Sequence, residues 1–216
     1  GENAEAYWSF SNSYLSFQHT DKSKAISCDR IYFADVKNIL RDGGTRLVHE
    51  PDKNIFTPVQ LSNGKGRTTC SFFMPGDSQI IYASTHLFGD TCPAEPMHVH
   101  GKYLWPIYSE YEIFISDLQG KIVKQLTKNK FYDAEATISP KGDKIIFTSD
   151  RSGDLELYTM NLDGSDVKQI THELGYDGGA CFSPDGSQII WRASHFDADS
   201  ERTEYKENLK KHLVSP

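Results

Sequence analysis

The feature that most restricts how this 216-residue chain can fold is an internal repeat. The segment Asp133-Ala-Glu-Ala-Thr-Ile-Ser-Pro-Lys-Gly-Asp-Lys-Ile-Ile-Phe147 recurs, 44 positions on and without a gap, as Asp177-Gly-Gly-Ala-Cys-Phe-Ser-Pro-Asp-Gly-Ser-Gln-Ile-Ile-Trp191. The same interval separates Tyr111-Glu-Ile-Phe-Ile-Ser-Asp-Leu-Gln-Gly120 from Leu155-Glu-Leu-Tyr-Thr-Met-Asn-Leu-Asp-Gly164, so two separate segments agree. Looser copies at residues 68–82 and 3–17 stand 65 positions before the next, which places an insertion in each of the first two units.

Each unit reads as four strands. An apolar segment ends at Ser183-Pro-Asp-Gly186, where proline presets φ and glycine accepts a positive φ, and Ile189-Ile-Trp191 follows as the second strand of a hairpin. Leu155 to Met160 alternates as a third strand and stops at the turn Asn161-Leu-Asp-Gly164. Val167 to Thr171 is short and polar at alternate positions, as suits an outer edge. One such unit cannot bury both faces of its sheet, and stacking neighbours around an axis solves that problem. The reading is an all-β propeller of four-stranded blades, with units at 3–62, 66–127, 131–171 and 175–216, the last partial, in one domain over 1–216. A β-sandwich with similar turns is the competing fold, and the shared 44-residue register disfavours it.

Composition bounds the function. The net charge of -7 argues against sequence-independent binding to nucleic acid or anionic lipid, which needs clustered cations. Apolar runs such as Ile80 to Ala83 are strand-sized, far short of the roughly 20 residues of a membrane-spanning helix. Neither Gly-x-Ser-x-Gly, a P-loop nor His-Glu-x-x-His occurs, and no motif calls for a cofactor. Cys28, Cys70, Cys92 and Cys181 show no Cys-x-x-Cys spacing.

The residues Ser183-Pro-Asp-Gly186 with Ile-Ile-Trp, the third-strand pattern from Leu155, and Lys168-Gln-Ile-Thr171 resemble the WD-like repeat of TolB and its relatives. The likeness is specific over the last 110 residues and looser before them. Gly66-Arg-Thr-Thr-Cys70, Ala83-Ser-Thr-His86 through Cys92, and Trp105-Pro-Ile-Tyr108 look like a subgroup without the amino-terminal domain of TolB. The resemblance implies a six-bladed ring, frequent export and a fold more than a function. After Trp191 the chain departs from the repeat. Asp199 to Leu213 reads as a helix with Tyr205, Leu209 and Leu213 on one face and Glu207 paired with Lys211. In such relatives a helix here is an excursion between the second and third strands. The expectation is about 3.5 blades, with a second chain or fragment completing the ring.

Strand order assigns loops to faces. Segments leading into strand one and those between strands two and three share one face, which gathers His86 to Tyr108, the stretch around Cys28 and the terminal helix. Near its axis stand Asn3 and Glu5, Arg67 and Thr68, Asp133 and Glu135, and Asp177. Convergent carboxylates can hold a cation or act as acid and base, or each Asp can cap a turn. Asp133 and Asp177 recur in register, as turn caps should; Glu5 and Glu135 are less easily explained that way, and form the candidate functional pair. His86, His98, His100, Arg192 and His195 join this face. His98-Val-His100 has the spacing for a zinc or copper site or for a solvated loop. Cys28 and Cys92 lie in insertions that meet on this face and are expected to form a disulfide, implying an oxidising compartment. Cys70 and Cys181 read as buried strand residues.

The function expected is a non-catalytic scaffold that binds a protein, a peptide or a glycan. The alternative is a gating domain of a serine peptidase, or a hydrolase using channel carboxylates. A periplasmic or extracellular setting is expected, with a cytoplasmic one left open.

Overall fold

The computed structural model describes residues 2–21, 28–37, 40–41, 46–47, 57–94 and 104–215. The first sheet pairs β1 (Glu2–Trp8), β2 (Tyr14–Thr20) and β3 (Arg30–Asp35) in antiparallel order. A small hairpin of β4 (Leu40–Arg41) and β5 (Arg46–Leu47) precedes its outer strand, β6 (Val59–Gln60). The second sheet holds β7 (Thr68–Phe73) and β8 (Gln79–Ser84), then, after β9 (Trp105–Pro106), β10 (Glu112–Asp117) and β11 (Ile122–Gln125). The third is β12 (Asp133–Ile138), β13 (Lys144–Ser149), β14 (Glu156–Asn161) and β15 (Lys168–Gln169). A fourth sheet has two strands, β16 (Gly175–Phe182) and β17 (Ile189–His195). The chain then forms α1 (Asp199–Leu209) and β18 (Leu213–Val214), which pairs with β9.

Packing shows how the sheets stand. Side chains alternate along a strand, so neighbours in sequence serve opposite faces. Ile80 faces the first sheet with Ile31, Leu61, Phe73 and Tyr82, and Ile81 faces the third with Ile113, Ile145 and Phe147. Ile146 turns the other way, to Leu157 and Ala180 of the next joint. Each fully buried isoleucine contributes about 1.5–3 kcal/mol. The sheets therefore stack face to face in chain order, with their first strands β1, β7, β12 and β16 side by side, as blades of a partial propeller. Backbone approaches close the joints. Gly120 and Gly164, at φ of 81° and 84°, bring their turns against the preceding blade, where a Cβ would lie 2.3 Å from the Leu61 carbonyl oxygen and 2.8 Å from that of Leu126.

An apolar cap covers one end of blades two to four. Tyr108, Tyr111, Tyr132, Tyr176, Tyr205 and Val214 are buried in it, and the Tyr205 hydroxyl donates to Asp154 Oδ1 at 2.5 Å. Acidic Asp199 and Glu201 sit in the first turn of α1, where the helix dipole favours them. The helix is shorter than its sequence pattern. Leu213 belongs to β18 and Lys211 to the turn before it, so the helical pairing of Glu207 with Lys211 is not made. Pairing with β9 ends the helix and turns Leu213 inward. Among the described residues no helix is long and apolar enough to cross a membrane.

Candidate functional site

Every first strand carries a bulge at the same place. The ladder slips between Ala4 and Tyr7, Thr69 and Phe72, Ala134 and Thr137, and Gly178 and Cys181. At each slip one residue takes the left-handed conformation: Glu5 at φ 50°, Cys70 at 52°, Glu135 at 59° and Gly179 at 60°. For a non-glycine residue this costs about 1–3 kcal/mol, and such strain gathers at functional sites. The four stand 65, 65 and 44 positions apart, the repeat intervals themselves.

These bulges meet at a cavity of about 200 Å³ lined by Glu5, Tyr7, Cys70, Trp105, Glu135, Thr137, Tyr176 and Arg192, with Gly179 at its wall. The two glutamates differ. Glu135 Oε2 accepts from the backbone N–H of Gly179 at 2.6 Å, from Thr148 at 2.8 Å and from the Tyr176 hydroxyl at 2.9 Å, and Oε1 accepts from Tyr132 at 3.0 Å. Glu5 is exposed to the cavity. Crowding by its walls raises the Glu5 carboxyl above the ordinary range, the nearby charges of Glu135 and Asp29 add to this, and hydrogen bonding with Cys70 opposes it. The Cys70 thiol is itself pushed well up by burial and by both glutamates. The Arg192 guanidinium lies 5.3 Å from the Trp105 ring centre. Glu5 also borders a larger hollow of about 710 Å³, an open groove on the free face of the first blade formed by Leu15, Phe17, Tyr32 and Pro58. Of these two, it is the smaller on which charged and aromatic groups from several blades converge.

Of the candidate site residues named from the sequence, Glu5, Glu135 and Arg192 share this cavity, and the other described ones are not among its lining residues. Asp133 is fully buried and accepts from Arg151 at 2.7 Å and from the Asn129 amide at 2.6 Å, so it braces a joint through side chains instead of capping a turn with backbone. Asp177, also fully buried, accepts from Trp191 Nε1 at 2.8 Å and lies 3.1 Å from His195 Nε2. Arg67 donates to Asp29 at 3.0 Å, and the Thr68 hydroxyl donates to the Asp29 carbonyl at 3.0 Å. His86 packs 4.5 Å from the Phe114 ring centre, and burial, then Lys65, lowers its pKa. His98 and His100 fall outside the described residues. Among the described residues no group of three or more His, Cys, Asp or Glu is placed to hold a metal ion.

Cys28 and Cys92 form a disulfide with their Cα atoms 5.8 Å apart, tying the first blade's insertion to the second's. Cys181 is half-buried, not buried, because it stands opposite Ile190 on the face of blade four that remains exposed. Tyr7, Cys70, Trp105 and Tyr176 were missed as cavity residues. For Cys70 the signal was present, since it stands midway between Glu5 and Glu135 in the repeat.

Residues 108–210 match the PD40 family model, described as TolB beta propeller domain. Among solved structures the chain is similar to TolB from Acinetobacter baumannii, with a TM-score of 0.54 at 20% identity over 88% of this chain and 37% of that one. It is similar to a chain of the nidogen/laminin complex, with a TM-score of 0.58 at 12% identity over 88% of this chain and 56% of that one. It is also similar to prolyl oligopeptidase B from Galerina marginata, with a TM-score of 0.53 at 11% identity over 88% of this chain and 22% of that one. At these identities the likeness is one of fold. The chain spans little more than a third of the TolB chain's length. No curated protein matches it.

Proposed function

We propose that this chain, which carries a TolB-like β-propeller domain, is a binding scaffold that receives one protruding side chain of a protein or peptide partner between Glu5, Trp105 and Arg192. The observation that carries this reading is the cavity's size and lining. At about 200 Å³ it falls below the roughly 300 Å³ at which small-molecule sites begin. Its Tyr, Trp and Arg content is the composition of interface hot spots. Strained bulges set Glu5, Cys70 and Glu135 at this cavity before a partner arrives, which lowers the entropy lost on binding.

A hydrolase reading draws on the raised Glu5 carboxyl beside Glu135. It is the weaker reading, because Glu135 spends both oxygens on four hydrogen bonds, two of which, from Tyr176 and Gly179, hold blade three to blade four. A gating role draws on the shared fold with prolyl oligopeptidase B. The Cys28–Cys92 bridge suits an oxidising, periplasmic or extracellular compartment.

The test is selection of peptides from a displayed random library, followed by affinity measurements on Arg192→Ala and Glu5→Gln. Scaffold binding at this cavity predicts a loss of on the order of 30-fold in at least one variant, the scale of a 2 kcal/mol hot spot. Unchanged affinity in both variants overturns it. Turnover of chromogenic glycosides that Glu5→Gln abolishes would establish the hydrolase.

A further inference from the structure

We infer that the group this cavity receives is a primary ammonium, the tip of a partner's lysine side chain, seated on Glu5 with its apolar stem against Tyr7 and Tyr176. The inference rests on the proposed binding site and names the chemistry of what enters it. It comes from two carboxylates that the repeat makes equivalent. Glu5 and Glu135 are the left-handed residues of their bulges and stand two repeat intervals apart. Glu135 is saturated, because the hydroxyls of Tyr132, Thr148 and Tyr176 and the amide of Gly179 all donate to it at 2.6 to 3.0 Å.

Around Glu5 the repeat positions of Thr148 and Tyr176 are held by Gln18 and Arg67. Both side chains are engaged elsewhere. Gln18 turns its oxygen, Oε1, to the Thr69 hydroxyl at 3.0 Å, and Arg67 donates to Asp29 at 3.0 Å. Among the described residues Cys70 alone hydrogen-bonds Glu5. A carboxylate has about four acceptor sites, so Glu5 keeps capacity that Glu135 has used. An ammonium brings three donors and no acceptor, the complement of what Glu5 offers.

The surroundings carry the sign that a cation needs. The strongest charges acting on Glu5 are those of Glu135 and Asp29, both negative. Burial first, and then negative neighbours that include Glu5 and Glu135, push the Tyr7 hydroxyl up. Among the described residues Arg192 is the one cation of the lining, and it is held over Trp105 on the side of Tyr176, whose rise it opposes. The walls suit a hydrocarbon stem. Tyr7 is braced on Phe72 at 5.4 Å between ring centres, and Tyr176 meets Trp105 edge-on at 6.2 Å. Lysine joins an apolar stem to a compact charge, whereas a guanidinium is a rigid planar fork, so a space of about 200 Å³ that Arg192 already borders selects lysine over a second arginine.

NMR titration of the labelled chain with Nα-acetyl-lysine methylamide, read at the Trp105 indole and the Cys70 amide, tests the inference without a selected partner. Saturable shifts are expected. The norleucine compound, which keeps the stem and lacks the ammonium, and the glutamate compound should bind more weakly by on the order of tenfold or more, the scale of one hydrogen bond to a charged group. Glu5→Gln, with the β12–β13 amides unmoved as the sign that it folds, should weaken the lysine compound by a similar factor and leave the norleucine compound unchanged. Equal binding of the lysine and norleucine compounds, or tighter binding of the glutamate compound that Arg192→Ala removes, overturns the inference. The peptide selection separates the two readings. Selected peptides that enter the cavity through an acidic or aromatic side chain keep the scaffold and overturn the ammonium, whereas binding of the lysine compound with no peptide selected keeps the ammonium and overturns the scaffold.

Discussion

The backbone N–H of Gly179 donates to Glu135 Oε2 at 2.6 Å, so the left-handed residue of one blade's first strand grips its counterpart in the next. This contact joins two consequences of the repeat. The bulge puts a side chain toward the axis, and the next bulge supplies an amide free to receive it.

Glu135 is therefore a structural carboxylate, and Glu5 is not. Glu135→Ala leaves the Tyr132 and Tyr176 hydroxyls and the Gly179 amide without their acceptor. It should cost about 3 kcal/mol or more in urea unfolding, given about 1.5–3 kcal/mol for each hydrogen bond to a charged group. Glu5→Ala, at an exposed position, should stay within about 1 kcal/mol of the parent.

Ile146 and Ile190 occupy one position of the repeat in blades three and four, yet Ile146 is fully buried and Ile190 is 72% exposed. Ile146→Ala should cost about 2–5 kcal/mol, and Ile190→Ala less than about 0.5 kcal/mol, in the same unfolding experiment. Equal costs would mean that β17 is covered in solution.

Glu156 supplies a pH dependence whose sign can be worked out. Its carboxyl is raised from 4.5 to about 7, first by burial. A raised carboxyl contributes stability that is full below the unfolded value of 4.5 and is lost as pH rises through about 7. Stability should fall across that window, and Glu156→Gln, which cannot ionise, should flatten the fall in thermal melts.

The Cys28–Cys92 bridge closes a loop with a sequence separation of 64. By chain entropy its removal costs about 4 kcal/mol. The oxidised chain should show two free thiols in denaturant and four after reduction, in line with free Cys70 and Cys181. Four thiols without reductant would remove the bridge.

The hairpins were legible because Ser-Pro-Asp-Gly and Asn-Leu-Asp-Gly turns carry their own mechanism and recur in step. Strand ends moved by a residue or so, as at β14, which begins at Glu156 rather than Leu155, since Leu155 forms an isolated bridge to Tyr176 instead. The bulges were not read, because a left-handed residue inside a strand leaves no mark when it is Glu or Cys rather than Gly. Asp133 and Asp177 looked like turn caps, but their partners, Arg151 and His195, lie at the far end of the paired strand, where only the three-dimensional register brings them together. The helix was visible, and its stop was not, because β9, a remote segment, ends it.

Titration of the isotopically labelled chain with a selected peptide, followed by two-dimensional NMR, tests the proposed binding at the cavity most directly. The account predicts that the Trp105 indole and the Gly179 amide shift first and saturate together. Shifts confined to residues away from the cavity, with these two signals unmoved at saturation, would contradict it.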